Sequence, residues 1–79
     1  MKIKIIINLK EEILDPQGKA IKNALYQIGF ENINSVRQGK VIELELNLSS
    51  RDKALKYAED MAKKLLVNPT METYQIILE

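Results

Sequence analysis

The sequence predicts an α+β fold, a two-layer sandwich in which a four-stranded antiparallel sheet carries two helices on one face. Three observations lead there. Two segments alternate apolar and polar residues at period two. Two others carry apolar stripes at helical spacing. Pro, Gly and Asn punctuation separates the segments in the order β-α-β-β-α-β.

Lys2 to Lys10 forms the first strand: Ile3, Ile5, Ile7 and Leu9 point one way, Lys2, Lys4, Asn8 and Lys10 the other. β-branched residues at period two predict one buried face, and Ile6 adds an apolar group among the polar ones. After the loop Glu11-Glu12-Ile13-Leu14, Asp15 is placed to cap a helix and Pro16 stands where a missing N–H costs nothing. Ala20, Ile21, Ala24, Leu25 and Ile28 give that helix one apolar stripe, and Gly29 ends it in a left-handed conformation.

Asn32 to Gln38 predicts a weaker strand. Ile33 and Val36 differ in parity, which calls for a bulge or a late start. A tight turn at Gln38-Gly39-Lys40 leads into Val41 to Leu48, with Ile42, Leu44, Leu46 and Leu48 inward and Glu43, Glu45 and Asn47 outward. Ser49 and Asp52 have the spacing of a helix-capping pair. Ala54, Ala58, Met61, Ala62 and Leu65 form the core stripe of this second helix, widened by Leu55 and Leu66. Asp52/Lys56, Glu59/Lys63 and Asp60/Lys64 are acid-before-base pairs on its wet face. Asn68-Pro69 stops it, and Met71 to Leu78 is the last strand. Right-handed crossovers and short connections fold this order most simply into one ferredoxin-like domain over residues 1–79, with the first and third strands central.

Composition narrows the function. Lys and Arg number 12 against 11 Asp and Glu, so a net charge of +1 sets up no field for nucleic acid or an anionic membrane. No apolar run approaches the roughly 20 residues of a membrane span, and no export signal is evident at Met1 to Asn8, so the cytoplasm is the expected compartment. Cys and His are both absent, which removes disulfides, thiolate nucleophiles, imidazole bases and nearly every zinc site. A chain of 79 residues buries a thin core, and self-association is a common remedy.

The candidate chemical sites mostly reduce to structure. Glu43 and Glu45 share a strand face near Lys2 and Lys4, as cross-strand charge pairs do. Ser49 and Ser50 have no partnered base. Gln17-Gly18-Lys19 and Gln38-Gly39-Lys40 each pair glycine with lysine, but neither has the spacing of a P-loop. The central strands contain no aromatic residue, so the sheet lacks the stacking platform of an RNA-binding surface. What remains is a partly apolar outer sheet face, with Ile6 and Val41 among charges and either Ile77 or Tyr74, Ile76 and Leu78 beside them, which suggests a protein interface.

Four elements in register carry a resemblance: Asp15-Pro16-Gln17-Gly18-Lys19 after the first strand, Gly29-Phe30 closing the helix, Val36-Arg37-Gln38-Gly39-Lys40 before the third strand, and Leu65-Leu66-Val67-Asn68-Pro69 ahead of a last strand with Tyr74. The chain resembles the PurS family of phosphoribosylformylglycinamidine synthase subunits. The resemblance implies a non-catalytic assembly subunit of de novo purine biosynthesis. It implies a PurL-like ATP-dependent synthetase and a PurQ-like glutaminase as partners, and a homodimer or higher homo-oligomer. It implies no cofactor in this chain, with ATP and Mg held by the synthetase. Exposed matching residues Gln17, Lys19, Arg37, Lys40 and Asn68 become candidate partner contacts, whereas caps and turns account for Asp15, Pro16, Gly29, Gly39 and Pro69.

Two other families share the element order. A ligand-sensing domain of the ACT type would use the first strand-to-helix loop, but Glu11 to Pro16 is acidic and has no early glycine. An acylphosphatase-type enzyme needs an arginine in that loop, and none occurs before Arg37.

Overall fold

Nine buried residues fall into two groups, and their placement explains the shape of the chain. The computed structural model describes residues 1–79 as β1 (Lys2–Leu9), α1 (Pro16–Gln27), β2 (Lys40–Glu45), α2 (Arg51–Met61), a π-helical turn (Ala62–Leu66) and β3 (Glu72–Leu78). β1 lies between β2 and β3 and is antiparallel to both. Its inward residues Ile3, Ile5 and Ile7 are at most 1% exposed, as period-two patterning requires. Ala54, Ala58 and Ala62 cover them, and Val67 completes the core. Ile42 and Leu44 pack against this core from β2, and Tyr74, Ile76 and Leu78 do so from β3. Ile77 is therefore the outward apolar residue of the last strand, with Ile6 and Val41 on the same outer face.

The sheet has three strands, not the predicted four, and only one helix lies over the core. Residues 31–39 form no regular element and join no strand ladder. Their polar groups turn toward α1 instead. Lys22 Nζ donates to the Asn34 carbonyl at 2.9 Å, Tyr26 Oη to the Ile33 carbonyl at 3.0 Å, and the Gln38 N–H is taken by Asp15. Asn32 has a φ of 64°, in the left-handed region, which interrupts any strand at its start. The mismatched parity of Ile33 and Val36 thus marks a connector with no consistent inner face.

α1 and this returning connector stand off the sheet as an arm. No residue of α1 belongs to the core or packs against it. The radius of gyration is 16.0 Å and the extents are 49 × 25 × 15 Å, against a radius of roughly 12 Å for a compact chain of this length. Pro16 opens α1 behind the Asp15 cap, as predicted. At the other end Gly29 takes a φ of 102°, its N–H bonds the Tyr26 carbonyl, and the Phe30 N–H bonds the Leu25 carbonyl, closing the helix in a Schellman motif.

Two details of α2 differ from expectation. Ser50, one residue later than Ser49, is the cap and accepts from the Lys53 N–H. Leu65, expected in the core stripe, is 83% exposed. The π turn causes this: the Val67 N–H reaches back five residues to the Ala62 carbonyl, and the extra residue rotates Leu65 outward and Leu66 against the core. Of the three anticipated ion pairs on α2, Glu59–Lys63 forms, at 3.5 Å. No helix is long and apolar enough to cross a membrane.

Candidate docking site

Most of the sequence-selected residues gather where the arm leaves the body, and Asp15 organises them, whereas Gly29 closes the far end of α1 and Asn68 and Pro69 lie in the turn before β3. Its carboxylate is 6% exposed. Oδ1 accepts the Gly18 N–H at 2.9 Å inside the first turn of α1, and Oδ2 accepts the Gln38 N–H at 2.7 Å from the connector. One side chain therefore caps the helix and ties down the returning connector. The Gln38 amide first, and then the Gly18 amide, hold the Asp15 carboxyl below its usual pKa, against the opposing effect of burial, with a further contribution from the nearby Arg37 charge.

Arg37 completes the tie. Nη1 donates to the Ile13 carbonyl at 3.0 Å and Nη2 to the Lys10 carbonyl at 2.8 Å, binding the β1–α1 loop to the connector. Its guanidinium thus has an internal task that sequence inspection missed. No local pattern points to it: the loop offers Glu11 and Glu12 as side-chain acceptors, yet the backbone carbonyls of Lys10 and Ile13 take the guanidinium instead.

Gly18 and Gly39 are needed for close approach rather than for torsion. A Cβ on Gly18 would overlap the Val36 carbonyl oxygen and lie 2.9 Å from Asp15 Oδ2. One on Gly39 would overlap Asn8 Oδ1 and lie 2.8 Å from the Ile7 carbonyl oxygen. These glycines let the connector press against both α1 and β1.

Gln17 and Lys40 face a cleft of about 320 Å³ lined also by Asp15, Pro16, Gln38 and Glu72. The Gln38 side-chain amide donates to Gln17 Oε1 across it. Glu72, which sequence reasoning did not select, joins this cleft to the α2–β3 turn: Oε2 lies 3.5 Å from Lys40 Nζ, and Oε1 accepts the Asn68 N–H at 2.8 Å. Asn68 Oδ1 in turn accepts the Thr70 N–H at 3.0 Å, so Asn68 and Pro69 form a self-bonded turn. Lys19 and Arg37 line a separate groove with Leu14, Lys22 and Asn34. Lys19 donates its backbone N–H to the Asp15 carbonyl at 3.0 Å, and its side chain has no hydrogen-bond or ion-pair partner within the chain.

The outer sheet face is a second surface. Lys2 stands opposite Glu45 and Lys4 opposite Glu43, as the alternation predicts, and Ile6 opposite Val41. Lys4 Nζ makes its ion pair with Glu79, at 3.3 Å. No three of the Asp and Glu side chains come together as a metal-binding group. The arrangement offers polar recognition and apolar contact, without a nucleophile paired to a base.

Comparison with known proteins agrees with this picture. The family model described as PurS: Phosphoribosylformylglycinamidine (FGAM) synthase matches residues 2–79. The phosphoribosylformylglycinamidine synthase subunit PurS of Bacillus subtilis is 38% identical over 78 residues, covering 99% of this chain and 92% of that protein. The crystal structure of Methanocaldococcus jannaschii PurS, one of the subunits of formylglycinamide ribonucleotide amidotransferase, superposes with a TM-score of 0.89 at 37% identity, over 99% of this chain and 94% of that one. A chain of the PurLQS structure from Thermotoga maritima gives a TM-score of 0.88 at 29% identity, over 96% of this chain and 93% of that one. The family match over residues 2–79 spans all three strands, both helices and the candidate docking residues: this chain belongs to the PurS family.

Proposed function

We propose that this chain is the non-catalytic assembly subunit of phosphoribosylformylglycinamidine synthase, acting in the cytoplasm in de novo purine biosynthesis. The observation that carries the proposal is the family match over residues 2–79, together with the likeness to a chain of the Thermotoga maritima PurLQS structure. In this role it docks a PurL-like synthetase and a PurQ-like glutaminase. The synthetase, with ATP and Mg, activates the amide oxygen of formylglycinamide ribonucleotide by phosphorylation. The glutaminase releases ammonia from glutamine, and ammonia attacks the activated carbon.

The chain's own residues support a docking role. With no Cys it has no thiolate for glutamine hydrolysis, and with no His it has no imidazole base. Its contribution is to raise the effective concentration of two partners and to keep the ammonia route away from water. Lys19 is the residue best suited to a partner contact, since it is exposed and unpaired. Gln17 and Lys40 line the neighbouring cleft, Asn68 is tied to it through Glu72, and Arg37 holds the β1–α1 loop.

The test is turnover by the reconstituted synthase with and without this chain. Omission should abolish most glutamine-dependent turnover and leave ammonia-dependent turnover largely intact. Lys19→Glu should fall between, with unchanged far-UV circular dichroism. Equal loss of both activities on omission would contradict the docking role.

A further inference from the structure

The groove between α1 and the connector concentrates positive charge in a chain that is nearly neutral. Lys19 and Lys22 stand one turn apart on α1, and Arg37 joins them from the connector. Asp15 is the one carboxylate in the lining. Three cations against one carboxylate leave a net charge of +2 in a groove of about 420 Å³, whereas the entire 79-residue chain carries +1. That single acid is already engaged. Asp15 Oδ1 takes the Gly18 N–H, Oδ2 takes the Gln38 N–H, and the residue is buried.

Elsewhere the chain pairs cations with acids: Lys4 with Glu79, Lys40 with Glu72 and Lys63 with Glu59. None of the three groove cations has such a partner, although Glu11 and Glu12 stand in the adjoining loop. Lys22 Nζ rests on the Asn34 carbonyl, and Arg37 rests on the Ile13 and Lys10 carbonyls. These contacts fix the two groups in place and neutralise neither. Lys19 is exposed, and its ammonium is free to move. At the rim, Leu14 is 74% exposed and adds an apolar side chain beside the charges. Two cations already held by the fold lose little freedom when an anion arrives, and the flexible lysine adjusts to it.

We propose that this groove receives an acidic segment of a partner protein, with Asp or Glu carboxylates set against Lys19, Lys22 and Arg37 and an apolar side chain over Leu14. The inference rests on the docking role above and supplies the chemistry of one of its contacts. Complementary charge selects the partner and speeds its approach. The arrangement suits a peptide better than a compact anion. A phosphate is gripped by donors that converge on one point, often the two prongs of an arginine. Here Nη1 and Nη2 of Arg37 are both occupied by carbonyls, so the guanidinium offers charge without a two-pronged grip. Charges spread along a groove with an apolar rim match a string of carboxylates on a chain that also carries an apolar residue.

A zero-length carbodiimide joins a lysine amine directly to a carboxylate it touches, and reads the contact in the assembled complex of this chain with the synthetase and the glutaminase. Peptide mass spectrometry should find Lys19 joined to an Asp or Glu of one of those two proteins. Affinity gives a second readout. Lys19→Glu combined with Lys22→Gln should weaken binding to the partners at least about tenfold, with circular dichroism unchanged, since Gln keeps a donor for the Asn34 carbonyl. The same change of charge on α2, Lys53→Glu with Lys56→Gln at exposed positions, should alter binding less than about twofold. A complex that forms without any Lys19 cross-link to a partner overturns the groove assignment and leaves the docking role standing. So does equal weakening by the two pairs of substitutions, because the charge then acts without a site. So does competition by millimolar inorganic phosphate, because the groove then takes small anions. A wild-type chain that binds neither partner removes the docking role itself, and this contact with it.

Discussion

The body and the arm obey the same sequence rules and reach opposite outcomes. In the body, period-two isoleucines on β1 and i, i+4 alanines on α2 meet, and Ile5 and Ala58 are fully buried. In the arm, α1 has an equally regular stripe, but between Lys19 and Lys53 no residue is buried. Amphipathic patterning therefore reports which side chains require cover, and says nothing about which molecule supplies it. The largest expected effect tests this contrast. Ile5→Ala should cost about 2–5 kcal/mol, a large part of the roughly 5–15 kcal/mol that holds a small domain folded. Urea unfolding should give that loss at every protein concentration. Ile28→Ala should cost far less, because Ile28 is 71% exposed and has no cover within the chain. A loss at Ile28 as large as the loss at Ile5 would place that side chain in a core.

The junction between the two regions is the next place to break the comparison. Alanine for glycine in a helix ordinarily gains up to about 1 kcal/mol. Gly18 lies in the first turn of α1, but a Cβ there meets the Val36 carbonyl and the Asp15 carboxylate. Gly18→Ala should therefore destabilise by about 1–3 kcal/mol, the usual cost of overpacking. Thermal or urea unfolding reads the sign directly. A gain in stability would show that the connector does not press on α1, and the arm would lose its rigid base.

Much of this was legible in the sequence, and the failures share a cause. The central strand, the Asp15-Pro16 start, the Gly29 stop and the inward set of β2 follow from local rules, because each depends on neighbours a few residues away. The fourth strand failed because its fate was decided at long range: Asp15, some twenty residues upstream, takes the Gln38 N–H, and Lys22 and Tyr26 take two carbonyls. Glu72 escaped notice for the same reason, since its partners Lys40 and Asn68 come from two different turns. The candidate docking residues are chosen as exposed motif positions. That Arg37 also braces the β1–α1 loop could be learned only from the carbonyls brought to it by folding.

The acid response should distinguish junction from body. The folded state holds the Asp15 carboxyl below its ordinary pKa, chiefly through the Gln38 and Gly18 amides. A depressed folded value means that the ionised form is favoured in the native state. Its contribution is present in full above the unfolded aspartate pKa of about 3.9, and is lost as pH falls through the lower folded value. The stability difference between wild type and Asp15→Asn should therefore be largest near neutrality and shrink below pH of about 4. Unfolding midpoints measured at intervals down through that range follow it. A difference that stays constant with pH would mean that Asp15 acts through shape alone.

The smallest expected effect lies within the body, at the π turn of α2. Helical spacing alone assigns Leu65 to the core, and the turn moves it to 83% exposure while Leu66 packs inward. Leu65→Lys should change stability by under about 0.5 kcal/mol, as surface substitutions do. Leu66→Lys should cost more, because a charge replaces an apolar side chain packed against the core. The order of the two urea midpoints is the measurement. If Leu65→Lys were the more damaging, either the helix would run on without the extra residue or Leu65 would be covered by another chain. Repeating both on diluted protein separates these cases, since only intermolecular cover weakens with dilution.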